Sequence, residues 1–242
     1  MTTHRIAPRP ACIAVIAGLV LTLSGCITIN SGDGGGFNFG GSCPDGSFAK
    51  EVTGGEVSNL EFDGNWDVQV TVGDPQSVAV SGDVPEDSVK AEIVGSTLTL
   101  QSTCAQQSRA EVVVETFSQI KVVNGASARS SAGSIGDVTI DVANSASLDM
   151  TSIEALEATV GVDNGGRVGF TATDATVNAN NGARIDFTAT DASVTMANAS
   201  NGAAVVSGTL NVDMTNGSNL TYSGGGTLGT QNVINGSNLT PG

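Results

Sequence analysis

Apolar and polar positions alternate at period two through most of this chain, and in residues 124–242 the alternation is interrupted at regular places. After Asn164 the apolar or small positions are Val168, Phe170 and Ala172, then Ala175, Val177 and Ala179. After Asn181 they are Ile185, Phe187 and Ala189, then Ala192, Val194 and Met196. Three positions at period two, a slip of one, and three more at period two predict two strands meeting at a corner. Thr173-Asp174 and Thr190-Asp191 occupy that corner. The other corner is a short phrase: Asn, two small residues, any residue, then an apolar one. It is read at Asn124, Asn144, Asn164, Asn181, Asn201, Asn216 and Asn235, with steps of 20, 20, 17, 20, 15 and 19 residues. Gly reaches φ > 0 without steric cost and Asn tolerates it better than most residues, so both suit a tight turn.

A recurrence at this period marks a solenoid, whose units cannot bury their apolar faces alone. Asn-Gly between apolar alternations also signals a β-hairpin, but a meander would not place Phe170 and Phe187 at one phase of the near-identical phrases GFTATDATV and DFTATDASV. The expected fold is therefore all-β: a single-stranded parallel β-helix with about two strands per coil in the C-terminal half. Like side chains then stack at the ~4.8 Å strand spacing, and the six steps make a rod roughly 30 Å long. Each corner Asn either bonds the amide above it in a ladder or serves only as a turn residue. Length differences are expected at surface corners. The coil from Asn144 is read with Ile153-Glu154-Ala155 as extra residues before Leu156, Ala158, Val160 and Val162 resume the alternation.

Residues 48–123 alternate without the Asn-Gly beat. Candidate strands are 60–62, 66–72, 77–80, 89–94, 97–100 and 110–114, separated by turns such as Gly73-Asp74-Pro75 and Gly82-Asp83-Val84-Pro85. They are expected to form the irregular first part of the same continuous solenoid, which becomes regular over 124–242. Residues 26–47, rich in Gly and Ser, read as a tether with a reach of ~25 Å.

Residues 1–25 read as an export signal: Arg5 and Arg9, then an apolar run from Ala11 to Leu23, too short for the ~20 helical residues that span a bilayer. Leu23-Ser24-Gly25-Cys26 resembles the bacterial lipobox. That resemblance implies cleavage before Cys26 and acylation of its thiol, hence a membrane anchor, and Ile27 after the cysteine favours the outer membrane if the cell has two. Cleavage removes Arg5 and Arg9 from the 9 basic residues, leaving 7 against 24 acidic ones and a net charge of −17. Such charge argues against nucleic acid as a partner and against adsorption to anionic lipid surfaces, and suits solubility, cations or neutral glycans without selecting among them. With Cys12 in the signal and Cys26 lipidated, Cys43 and Cys104 remain as an even pair, expected to form a disulfide in an exported chain, with free thiols as the alternative.

The order of elements resembles the bacterial head GIN domain family of auto-transporter adhesins. The resemblance is carried by Leu60-Glu-Phe62-Asp-Gly64, Asp67-Val-Gln-Val-Thr-Val-Gly73, Ser77-Val-Ala-Val-Ser-Gly-Asp83, Gly95-Ser-Thr-Leu-Thr-Leu100 and Ile120-Lys-Val-Val-Asn-Gly-Ala126, within about residues 48 to 240. It implies a parallel β-helix in a cell-envelope protein and brings no catalytic residues.

The inventory for chemistry is short. The one His, His4, lies in the signal, so a mature chain has no imidazole for a Ser-His-Asp arrangement or a His-ligated metal. No cofactor or metal is expected. Asp174 and Asp191, stacked at one corner a rung apart, could share a cation or couple their protonation, and distance alone does not exclude glycoside hydrolysis; the other reading is solvated turn residues. Asp63-Gly-Asn65-Trp-Asp67 begins like a calcium loop but has Val68 where the sharp-turn Gly belongs. Thr171-Ala-Thr173 and Thr188-Ala-Thr190 form two Thr-x-Thr ranks resembling an ice-binding face, though Thr is also a common strand residue. The expected function is non-catalytic adhesion or binding of a glycan or protein by a rigid acidic surface. A carbohydrate-active β-helix and an ice-binding protein are the alternatives, and end-to-end contact between copies is a further expectation.

Overall fold

The computed structural model describes residues 43–242. The signal segment 1–25, Cys26 and most of the tether lie outside the described residues. The described chain is built from strands: β1 (Phe48–Glu51), β2 (Asn59–Asp63), β3 (Trp66–Val72), β4 (Ser77–Gly82), β5 (Val89–Val94), β6 (Thr97–Ser102), β7 (Ser108–Val114), β8 (Gln119–Val123), β9 (Ser127–Ser130), β10 (Gly133–Ile135), β11 (Val138–Ala143), β12 (Ser147–Asp163), β13 (Arg167–Ala179), β14 (Arg184–Met196), β15 (Asn201–Val206), β16 (Thr209–Met214), β17 (Asn219–Ser223), β18 (Thr227–Val233) and β19 (Asn238–Pro241). One 3-10 turn, Glu86–Ser88, precedes β5.

These strands stack into two faces of one β-solenoid. Along the first face the order is β1, β4, β7, β3, β9, β12, β13, β14, β15, β17, β19. Along the second it is β5, β6, β2, β8, β11, β12, β13, β14, β16, β18. Strands β12, β13 and β14 appear on both because each runs unbroken through the corner. In β13, Thr173 and Asp174 are the two successive outward residues that take up the phase slip. At ~4.8 Å per rung the parallel part measures roughly 40 Å. The β7/β6 end is called the head and the β19/β18 end the tail.

Alternation buries one side chain in two, and register turns those side chains into columns. One column runs Leu98, Leu60, Ile120, Ile140, Val160, Val177, Val194, Val212; all are buried. Another runs Met150, Phe170, Phe187, Ala204, Tyr222. The rings of Phe170 and Phe187 stack at 5.2 Å with 7° between planes, and the Ala204 above them makes the room two successive rings need. A third runs Val168, Ile185, Gly202, Leu220. A Cβ on Gly202 would lie 2.5 Å from Cγ1 of Ile185, so the glycine is what lets Ile185 fill its rung.

The first part of the chain departs from the expected continuous winding. The coil β2–β3 lies between β6–β7 and β8–β9, so the chain lays down its second rung first, returns to build the outermost rung, and then passes β2–β3 to continue. Strands β1, β4 and β5 are antiparallel and close the head. The Cys43–Cys104 disulfide, with Cα atoms 5.6 Å apart, ties the start of the described chain to the β6–β7 connection. Cys43, expected within the tether, is therefore tied to the body by this bond.

Two further expectations need correction. The extra residues of the Asn144 coil are Thr151-Ser152-Ile153, where register with β13 shifts. Ile153 and Ala155 point inward and Leu156 is 60% exposed, because a third facet, pairing Ile135 with Ala155, turns the chain one residue sooner. The corner assigned to Asn201 lies at Asn198-Ala199, both with positive φ (55° and 62°). Asn201 belongs to β15, in register with Arg184 and Asn219. The parity decides it: four, six and eight residues after Asn198 come Gly202, Ala204 and Val206, in the core columns, whereas counting from Asn201 would bury Val205, which is 45% exposed.

Candidate functional site

The corner asparagines form one directed ladder. Asn124 donates its amide to Oδ1 of Asp63 at 2.6 Å, Asn144 to Asn124 at 2.9 Å, Asn164 to Asn144 at 3.2 Å, and Asn181 to Asn164 at 3.4 Å and Asp163 at 2.8 Å. Asn198 donates to Asn181 at 3.2 Å, Asn216 to Asn198 at 3.0 Å and Asn235 to Asn216 at 3.3 Å. All of these Asn have φ between 50° and 57°. The turn that exposes the amide also fixes its direction, so each donor points headward and the carboxylate of Asp63 ends the series. Asp63 is thus a ladder terminus rather than the start of a calcium loop, and its other oxygen accepts from Gln101 at 3.3 Å. In six of these seven turns the small third residue is buried: Ala126, Ala146, Gly166, Ala183, Ser200 and Ser218. The two serines return their hydroxyls to the backbone oxygens of Ala197 and Thr215.

Outward columns form the surface a partner would meet. On the second face Thr139, Thr159, Thr176, Ser193 and Asn211 succeed one another in register. Beside them, at the strand corner, Glu157, Asp174 and Asp191 are register partners, and Asp137, preceding Val138 as Glu157 precedes its partner Ala158, lies one rung headward of Glu157. Like charges one rung apart oppose each other, and none of these four carboxylates takes part in the ion pairs found among the described residues. Asp191 is committed to the backbone, accepting from the Thr209 N–H at 2.6 Å. At the headward end of the columns lies an open groove of about 520 Å³, lined by Asn59, Ser118, Gln119, Asp137, Val138, Thr139, Glu157 and Thr159. Its polar groups are hydroxyls, amides and carboxylates.

The structure also limits the other candidates. Thr171 and Thr188 are register partners pointing outward, but their neighbours are Glu154 on one side and Val205 on the other, so the Thr array stops at two rungs. Asp174 and Asp191 do stack as expected. Among the described residues no group of three or more His, Cys, Asp or Glu is arranged to hold a metal ion, and no helix is long and apolar enough to cross a membrane.

The family model described as "Putative auto-transporter adhesin, head GIN domain" matches residues 57–226. The chain belongs to that family. No curated protein sequence matches it. Among solved structures, a "putative adhesin" from Bacteroides fragilis superposes with a TM-score of 0.71 at 10% identity, covering 84% of this chain and 100% of that one. A "putative lipid binding protein" from Parabacteroides distasonis gives 0.62 at 13% identity, covering 81% and 96%. A "putative adhesin" from Parabacteroides merdae gives 0.59 at 12% identity, also covering 81% and 96%. At such identities the shared property is the fold alone.

Proposed function

We propose that this head GIN protein is an exported, lipid-anchored envelope protein, held at Cys26, that binds a polar ligand without turning it over. The observation that supports this best is the pairing of the Thr139/Thr159/Thr176/Ser193 column with the Asp137/Glu157/Asp174/Asp191 column along one rigid face. Hydroxyls and carboxylates repeated at ~4.8 Å offer a long ligand several equivalent hydrogen-bonding positions, and the groove at their headward end supplies amides from Asn59 and Gln119. Glycans with free hydroxyls and protein surfaces rich in Lys or Arg both fit that chemistry.

A glycan panel and a set of basic protein ligands, probed with the unlipidated chain, test the reading. Binding is expected to fall roughly tenfold or more when Glu157→Gln and Asp174→Asn are combined, as losing hydrogen bonds to charged groups costs about 1.5–3 kcal/mol each. Binding unaffected by that pair would sink the assignment of the face. Release of shortened glycan products would instead favour the carbohydrate-active reading, for which the Asp174–Asp191 register is the one supporting observation.

A further inference from the structure

The two ends of the rod are finished differently. At the head the outermost strands are β5 and β1, each paired on one side only, and both carry charge. Lys90 meets Glu92 at 2.7 Å and Lys50 meets Glu86 at 3.0 Å. Charged residues, lysine above all, are the usual means by which an edge strand resists pairing with another chain. At the tail the outermost strands β18 and β19 are also paired on one side only. Here residues 214–242 carry no charged side chain, in a chain whose formal net charge is −15. Leu228, Val233 and Leu239 continue the buried columns yet stay only half-buried, and Ile234 is 46% exposed.

We propose that the tail is closed by the tail of a second copy, the two rods joining end to end about a two-fold axis with β18 running antiparallel to β18 of its mate. Three features select that occupant. The tail offers two strand edges and the open end of a core together, which a single extended peptide would cover only in part and another solenoid end covers whole. The head of a second copy is unsuited, since antiparallel strands bearing ion pairs already close it. The absence of charged side chains from Met214 to Gly242 lowers the repulsion that would otherwise hold two acidic chains apart. A two-fold contact is self-complementary and closes on itself. The bulge that sets Gly229 and Thr230 opposite Asn211, and Pro241 with no N–H to give, limit how far the pairing extends. This inference stands apart from the ligand proposed above, and failure of either leaves the other intact.

Sedimentation equilibrium of the purified full chain in a density-matched detergent tests it. A reversible monomer–dimer equilibrium is expected. Gln231→Lys with Asn232→Lys, two exposed positions on β18, should weaken it by tenfold or more, since the two-fold axis sets the new like charges against each other. Val94→Lys on β5, 64% exposed at the head, should leave it unchanged, and circular dichroism should show both variants folded. A monomer at every concentration would overturn the proposal and leave the edge to the chain's own N-terminal segment or an unrelated partner. A dimer that survives the tail charges and is lost on changing Val94 would overturn it too.

Discussion

Asn181 shows how much one residue does here. It holds φ at 52°, donates to Asn164 and Asp163, and accepts from Asn198. Asn181→Asp would set a carboxylate against Oδ1 of Asn164 and the carboxylate of Asp163, so a loss of about 2–3 kcal/mol is expected in chemical denaturation. Asn235→Asp gives up only its single bond to Asn216 and should cost less than half as much. Two turns carry a non-glycine residue at the second left-handed position, Ser145 (φ 63°) and Ala199 (φ 62°). Because an L side chain there costs roughly 1–2 kcal/mol, Ala199→Gly should stabilise the protein by about 1 kcal/mol. An unchanged or lowered denaturation midpoint would mean the corner is elsewhere. The turns were legible from the repeated phrase, with the ladder one of two readings of their Asn; the turn at Asn198 was not, because the Asn-Gly pair three residues later imitates the phrase. The parity of Ala204, Val206 and Leu210 carries the information that corrects it.

At the scale of the element, the strands were readable because one face of each is buried and the other wet, which writes the period into the sequence. The strands expected at 66–72 and 89–94 have those bounds, and the others gain a residue or two at an end. β1 escaped notice because Phe48 is the only apolar residue of size in Phe48–Glu51 and an antiparallel edge strand needs little more. Packing between elements makes its own predictions. Gly202→Val should destabilise by roughly 1–3 kcal/mol, since the new side chain overlaps Cγ1 of Ile185, and Ile185→Ala, which removes that carbon, should recover part of the loss in that background. Reducing Cys43–Cys104, which closes a loop across 61 residues, should cost ~4 kcal/mol in the chain-entropy picture. Proteolysis is then expected first within the antiparallel cap, ahead of the Asn-turn coils.

For the molecule as a whole, local pattern predicted a solenoid but not the path by which it starts. Placing β2–β3 between β6–β7 and β8–β9 depends on pairings between residues some 40 to 60 positions apart, and alternation looks the same whichever neighbour a strand takes. The candidate face was legible only in part for the same reason. Asp174 and Asp191 stand at equal positions of adjacent repeats, whereas Glu157 joins their column only once the three-residue insertion at 151–153 is placed. A column of unpaired carboxylates on an acidic rod also predicts that salt stabilises: raising ionic strength from about 0.01 M to 0.15 M shortens the Debye length from ~30 to ~8 Å and should raise the melting temperature. Asp174→Asn should make that rise smaller.

All of this depends on like residues lying one above another along the axis. Pairs of nitroxide labels at Thr176/Ser193, Thr159/Ser193 and Thr139/Ser193 measure it directly, since these exposed positions are one, two and three rungs apart. Dipolar broadening should weaken in that order, matching separations that grow in equal steps of ~4.8 Å. Couplings that ignore the order, or a Thr139/Ser193 pair as close as Thr176/Ser193, would show strands paired some other way and would contradict the stacked coil.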